Sequence, residues 1–145
     1  MKYRSESEQD TYNIALELGQ KAEKGHVYCL VGDLGVGKTL FAKGFAKGLG
    51  IDDHITSPTF TIVNEYSVGA CTFNHLDVYR IGSLDEMDEI GYEEYFYGEH
   101  ITLVEWADLI RDIIPIDATW IELTKDLEQG FDYREIIIST KSVEL

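Results

Sequence analysis

The chain has 145 residues, and 12 Lys plus Arg against 27 Asp plus Glu give a formal net charge of −15. That length suits one domain able to bury roughly two-thirds of its unfolded surface without a disulfide or metal staple, and a hydrophobic share of 44% excludes a disordered acidic tail. No window approaches 18 consecutive apolar residues, which excludes a membrane-spanning helix, and the acidity argues against a direct grip on DNA or any long nucleic-acid duplex.

Taken in chain order, residues 5–24 read as an amphipathic helix. Ser5 and Glu8 have capping-box spacing, Ile14, Leu18 and Ala22 follow the helical period, and Gly25 suits a left-handed terminator. Residues 26–31, His-Val-Tyr-Cys-Leu-Val, are the short apolar run of a strand buried on both faces. A second helix is predicted over 39–49, with Phe41, Phe45 and Leu49 on one side and Gly50 ending it. Residues 60–68 and 70–78, joined through Gly69, read as an antiparallel hairpin. Ser83 and Glu86 cap a short acidic helix that carries Leu84, Met87 and Ile90 and stops at Gly91. A buried strand follows at 101–104, and 120–124 with 135–140 form a last antiparallel pair around Gly130. The sum is one α/β domain over 1–145, with a mixed, partly parallel sheet flanked by helices. Cys29 and Cys71 supply neither a zinc pattern nor a disulfide framework, and Met1–Glu6 has no apolar signal core. The expectation is a soluble cytoplasmic protein with no membrane partner.

The most specific feature is Gly32-Asp33-Leu34-Gly35-Val36-Gly37-Lys38-Thr39, which fits G-x-x-x-x-G-K-[ST]. Chance produces this pattern in roughly half a percent of chains this long. Here it also leaves a buried strand and opens a helix, the context the motif requires. The glycines let the backbone turn with no Cβ in the way, so that successive N–H groups face phosphate oxygens, and the helix N-terminus adds further donors. Lys38 is placed to reach the β- and γ-phosphates, and the Thr39 hydroxyl to coordinate Mg²⁺. A charge of −15 repels ATP, but at a Debye length of about 8 Å distant carboxylates fade while Lys38 acts at contact range. Lys43 and Lys47 read as solvated or partner-facing.

A phosphate cradle needs a carboxylate for the metal, and Glu105 ends the 101–104 strand where one would sit. Asp77, at the end of the second hairpin strand, either orients an attacking water or metal-bound water, or simply caps the next turn. Arg80 is placed to neutralise phosphoryl charge or to make an ordinary surface pair. His75 reads as a hydrogen-bonded core histidine rather than a catalyst or metal ligand. Thr56-Ser57-Pro58-Thr59-Phe60-Thr61 is either a switch-like loop that senses the γ-phosphate through Ser57, Thr59 and Thr61, or a polar loop satisfying its own backbone. Trp106 either stacks near the nucleotide or packs. The acidic stretch 85–99 reads as a solvated face.

GDLGVGKT (32–39), SPTFTIVNEY (57–66), HLDVYR (75–80), IGYEEYF (90–96) and VEWAD (104–108) occur in one order over almost the whole chain. In this the sequence resembles the TsaE (YjeE) family, the small ATPase of the bacterial machinery that makes threonylcarbamoyladenosine in tRNA. Val36 stands where the family more usually has alanine, a difference the backbone N–H does not feel. The resemblance implies a P-loop NTPase fold that binds ATP or ADP with Mg²⁺. It implies nucleotide contacts from Asp33, Leu34, Gly35, Val36, Gly37, Lys38, Thr39, Leu40, Asp77, Trp106 and Arg134, with Thr11 at the border. Metal ligation by Thr39 and Glu105, and catalytic roles for Lys38, Asp77 and Glu105, follow from the same source. It also implies the TsaB–TsaD pair as partners, with tRNA engaged only through that complex. ATP hydrolysis would support repeated turnover, while TsaD transfers the group.

Three other readings share the cradle. A small-molecule kinase needs an acceptor pocket and a mobile basic lid, for which 12 basic residues leave no room. A GTPase needs N-K-x-D, which Thr124-Lys125-Asp126-Leu127 matches only at the lysine. A nucleotide-gated interaction module with negligible turnover of its own differs from an ATPase in no sequence feature.

Overall fold

The computed structural model describes residues 1–33, 35–52, 55, 56, 58 and 62–140, with Val68 described through its backbone alone. Seven strands form one sheet: β1 (Lys2–Ser5), β2 (His26–Val31), β3 (Val63–Val68), β4 (Cys71–Asp77), β5 (Ile101–Glu105), β6 (Thr119–Lys125) and β7 (Arg134–Ser139). Four helices accompany them, α1 (Glu8–Gln20), α2 (Lys38–Gly48), α3 (Leu84–Ile90) and α4 (Tyr92–Tyr97), together with a 3-10 helix at Ala107–Ile113. Strand order is β1-β7-β6-β2-β5-β4-β3. The four central strands β6, β2, β5 and β4 run parallel, and antiparallel pairs close both ends. This is the α/β class with a mixed, partly parallel sheet that the sequence leads one to expect.

β2 lies between β5 and β6, and five of its six residues are buried. Side chains alternate across a strand, so the sheet has two different interiors. Tyr28, Leu30, Phe73, Leu103, Ile121 and Ile136 face α1 and α2 and pack with Phe41 and Phe45. Val27, Cys29, Leu76, Val104 and Trp120 face the other way, onto Met87 of α3, Phe96 of α4 and Ile110.

The helix pair α1–α2 is joined through backbone. A Cβ on Gly44 would stand 2.5 Å from the Tyr12 carbonyl oxygen and 3.0 Å from the Ala15 Cβ. Methyl groups on Gly19 and Gly48 would collide with the Phe45 and Leu16 carbonyl oxygens. No larger residue permits this approach, which sets α2, and with it the start of the phosphate motif, against α1.

Several local expectations need correction. The first helix begins at Glu8, because Ser5 ends a short strand that pairs with β7. The cap is therefore Ser7, whose Oγ accepts the Asp10 N–H at 3.0 Å, and Asp10 Oδ2 accepts the Glu6 N–H at 3.1 Å. The helix closes at Lys21, and Gly25, at φ 78°, instead turns the chain into β2 while donating to the His100 carbonyl at 2.7 Å. The hydroxyl of Ser83 makes no cap bond; Glu86 Oε2 accepts the Gly82 N–H at 3.0 Å. Helix α4 and the 3-10 helix carry no clear helical period in so few residues. Among the described residues no helix is long and apolar enough to cross a membrane.

Candidate functional site

The site lies at the C-terminal ends of the central parallel strands, where β2 runs into α2. Gly32 follows the last residue of β2 at φ 154°, and a Cβ there would meet the Leu123 carbonyl oxygen at 2.7 Å. Gly37, at φ 110°, is the N-cap of α2. Only glycine adopts these angles freely, so the loop delivers Lys38 and Thr39 as the first two residues of a helix whose leading N–H groups are open. Leu34 and the loop residues Ser57, Thr59 and Thr61 lie outside the described residues. Among the described residues next to them, Ile62 donates to the Pro58 carbonyl and accepts the Asp77 N–H, both at 2.8 Å.

Lys38 is 6% exposed. Its ammonium donates to the carbonyls of Gly32 at 2.5 Å and Asp33 at 3.0 Å and stands 3.8 Å from the centre of the Trp106 ring. Burial pushes its pKa below the usual lysine value, while the carboxylates of Glu105, Asp77, Asp108 and Asp33 pull in the other direction. The lysine thus sits where charge is costly, held by fixed dipoles, an aromatic face and acidic neighbours.

Asp77 and Glu105 stand in register across the parallel β4–β5 pair, and both are buried. Asp77 Oδ1 accepts the Tyr79 N–H at 3.0 Å, so the aspartate does cap the following turn while lying beside the second carboxylate. Glu105 Oε2 lies 2.6 Å from Nε2 of the fully buried His75. Just beyond Glu105, Trp106 takes a left-handed backbone (φ 62°), a conformation costing about 1–2 kcal/mol for a residue with a Cβ. Its N–H is fixed on the Leu30 carbonyl at 3.0 Å, and its ring meets Tyr79 at 4.6 Å. The kink brings Trp106 back over Lys38.

On the opposite flank of the loop a cavity of about 150 Å³ is lined by Glu8, Thr11, Gly35, Val36, Gly37, Leu40, Asp132 and Arg134. Arg134 closes it by donating Nε–H to the Val36 carbonyl at 2.6 Å. The Thr11 hydroxyl is 2.6 Å from the Ser5 hydroxyl. Asp132, in the β6–β7 loop, and Glu8, at the start of α1, escape sequence reasoning, because only pairing of β1 and β6 with β7 brings them to the phosphate motif. Arg80 is exposed, and Lys47 forms a surface pair with Asp52 at 2.8 Å, away from this cluster.

Chemically, the arrangement sets a glycine turn at a helix N-terminus and one ammonium beside two buried carboxylates. No group of three or more His, Cys, Asp or Glu able to hold a metal occurs among the described residues. The donor set is all oxygen and sparse, which fits a Mg²⁺ ion that keeps several waters and takes phosphate oxygens, rather than an ion in an all-protein cage.

A family model described as threonylcarbamoyl adenosine biosynthesis protein TsaE matches residues 5–136. The tRNA threonylcarbamoyladenosine biosynthesis protein TsaE of Bacillus subtilis (strain 168) is 44% identical over 136 residues, covering 94% of this chain and 83% of the relative. Its counterpart in Treponema pallidum (strain Nichols) is 43% identical over 119 residues, covering 82% and 87%. The crystal structure of Bacillus subtilis YdiB superposes with a TM-score of 0.80 at 39% identity, over 98% of this chain and 86% of that one.

Proposed function

This chain belongs to the TsaE family and serves tRNA threonylcarbamoyladenosine biosynthesis, and from that premise we propose that it binds ATP with Mg²⁺ and hydrolyses it slowly, faster when TsaB and TsaD are engaged. The observation that carries this reading is Lys38 buried at the β2–α2 junction, facing a register-paired Asp77 and Glu105. An ammonium among carboxylates in a low-exposure pocket is suited to a polyphosphate that arrives with its own cation.

In this reading the loop amides and Lys38 hold the β- and γ-phosphates, and Thr39 and Glu105 hold the metal. Bound there, Mg²⁺ neutralises charge on the phosphate oxygens. Asp77 lies beside Glu105 and is suited to accept a proton from, or orient, the attacking water. The cavity between Thr11, Leu40 and Arg134 takes the base and ribose end of the nucleotide. Leu40 offers an apolar wall, and Arg134 is held by the Val36 carbonyl. Two of the three N–H donors of Lys38 are engaged by its own loop. Phosphate must draw the ammonium away from them, which supports a low basal rate.

Calorimetry with ATP, ADP and Mg²⁺, followed by phosphate release with and without TsaB–TsaD, tests the proposal. Micromolar binding and a rate raised by the pair are expected. Absence of any nucleotide binding by folded protein overturns it, and equal rates remove the partner-activated step. Glu105→Ala is expected to weaken Mg²⁺-dependent turnover more than nucleotide binding, and superimposable magnesium titrations would contradict metal ligation.

A further inference from the structure

His75 is fully buried. Its ring lies parallel to Phe73, with centroids 6.2 Å apart and planes 14° apart. Phe73 in turn packs on Phe45 of α2, whose ring is against Tyr28 of β2. The imidazole is therefore the last ring of an aromatic column crossing three elements, and its plane is fixed by packing. At the open end of the column Nε2 meets Glu105 Oε2 at 2.6 Å. A carboxylate has no hydrogen to give, so Nε2 carries the proton and donates it.

The other ring nitrogen makes the case sharper. Nδ1 is buried and has no hydrogen-bond partner among the described residues. Packing alone does not account for a histidine here, since an apolar side chain of similar volume fills the column without stranding a polar atom. What the imidazole adds, among the described residues, is the hydrogen bond to Glu105. A glutamate has three rotatable bonds, and burying it in one rotamer without a partner forfeits that freedom for nothing. Asp77, the shorter carboxylate alongside, is instead held by the backbone of its own turn.

We propose that His75 is a positioning residue: its Nε2–H fixes Glu105 in one rotamer and occupies one carboxylate oxygen, leaving the other to meet a divalent cation at the mouth of the phosphate loop. The inference rests on the reading of Glu105 as a metal ligand given under Proposed function. Hydrogen-bonded partners of metal-ligating groups typically govern affinity by about 10- to 100-fold.

The test uses Mn²⁺ as probe, its uptake counted from the free-ion resonance in the presence of ADP, with ADP affinity also measured in EDTA. His75→Asn puts an amide donor near the Nδ1 position and short of Nε2, whereas the amide of His75→Gln reaches Nε2. The Asn variant is expected to bind Mn²⁺ about 10- to 100-fold more weakly with its metal-free ADP affinity kept within about twofold, and the Gln variant to recover most of the loss. Thermal melts check folding, and His75→Met, of similar volume and with no donor, replaces Asn if that variant does not fold. Wild-type Mn²⁺ affinity in the donor-less variant overturns the proposal. So does a Gln variant no better than Asn, or an equal loss of metal-free ADP affinity. If the wild-type protein itself takes up no Mn²⁺ with nucleotide, the functional reading falls first; uptake by wild type with unchanged variants overturns the positioning role alone.

Discussion

The two faces of the sheet are built from the same strands and do different work. Toward α3, α4 and the 3-10 helix, β2, β4 and β5 present Val27, Cys29, Val31, Leu76 and Val104, an apolar interior broken by the buried pair Asn74 and Thr102, whose hydroxyl is bonded to the Tyr95 carbonyl of α4. Toward α1 and α2 the alternate residues of β4 and β5 run Phe73, His75, Asp77 and Leu103, Glu105, so apolar packing gives way to titratable groups at the strand ends. One residue of offset separates scaffold from chemistry. Damage to one face should therefore appear in stability and damage to the other in ligand binding.

The largest expected effect breaks the scaffold face. Phe96→Ala removes a ring that is 2% exposed and should cost about 3–5 kcal/mol of unfolding free energy, read by urea titration, while nucleotide affinity of the folded fraction stays at the wild-type value. Loss of both together would mean that the faces are not separable.

On the other face, Lys38→Ala should weaken ATP binding by roughly 10- to 150-fold, corresponding to about 1.5–3 kcal/mol for a hydrogen bond to a charged group. The melting temperature should hold or rise, because a desolvated ammonium is removed. A pH series sharpens the point. The pKa of Lys38 lies below the usual 10.5, so between that lowered value and 10.5 the unfolded chain holds a proton that the folded one has released. Through this window the contribution of Lys38 to folding stability improves as pH rises, while phosphate affinity falls with the lost charge. Lys38→Arg should abolish the alkaline fall in affinity, and calorimetry across the window would expose a pH-independent wild type. The smallest effect is Ser7→Ala, which removes the N-cap of α1 and should cost about 1 kcal/mol by urea titration.

What was legible in the sequence is what depends on neighbours along the chain. Strand β2, the glycine loop and α2 announce themselves because a buried run, three glycines and a helical period are contiguous. Strand β1 does not, since Lys2, Tyr3, Arg4 and Ser5 carry no pattern and owe their conformation to residues Arg134–Ile137 at the other end of the chain. Glu105 and Asp77 could each be singled out as strand-end carboxylates, yet their pairing follows from parallel register. The left-handed turn at Trp106 has no glycine to signal it. His75 reads correctly as a hydrogen-bonded core histidine, but its partner is 30 positions away, and nothing local names it.

The glycine seam between α1 and α2 has a mechanical consequence. Main chain touches main chain at Gly19, Gly44 and Gly48, with no flexible side chains between them to absorb displacement. The two helices must then travel as one strut, with Thr11 at the front of the first and Lys38 at the front of the second. A tug at either tip is transmitted to the other without slack.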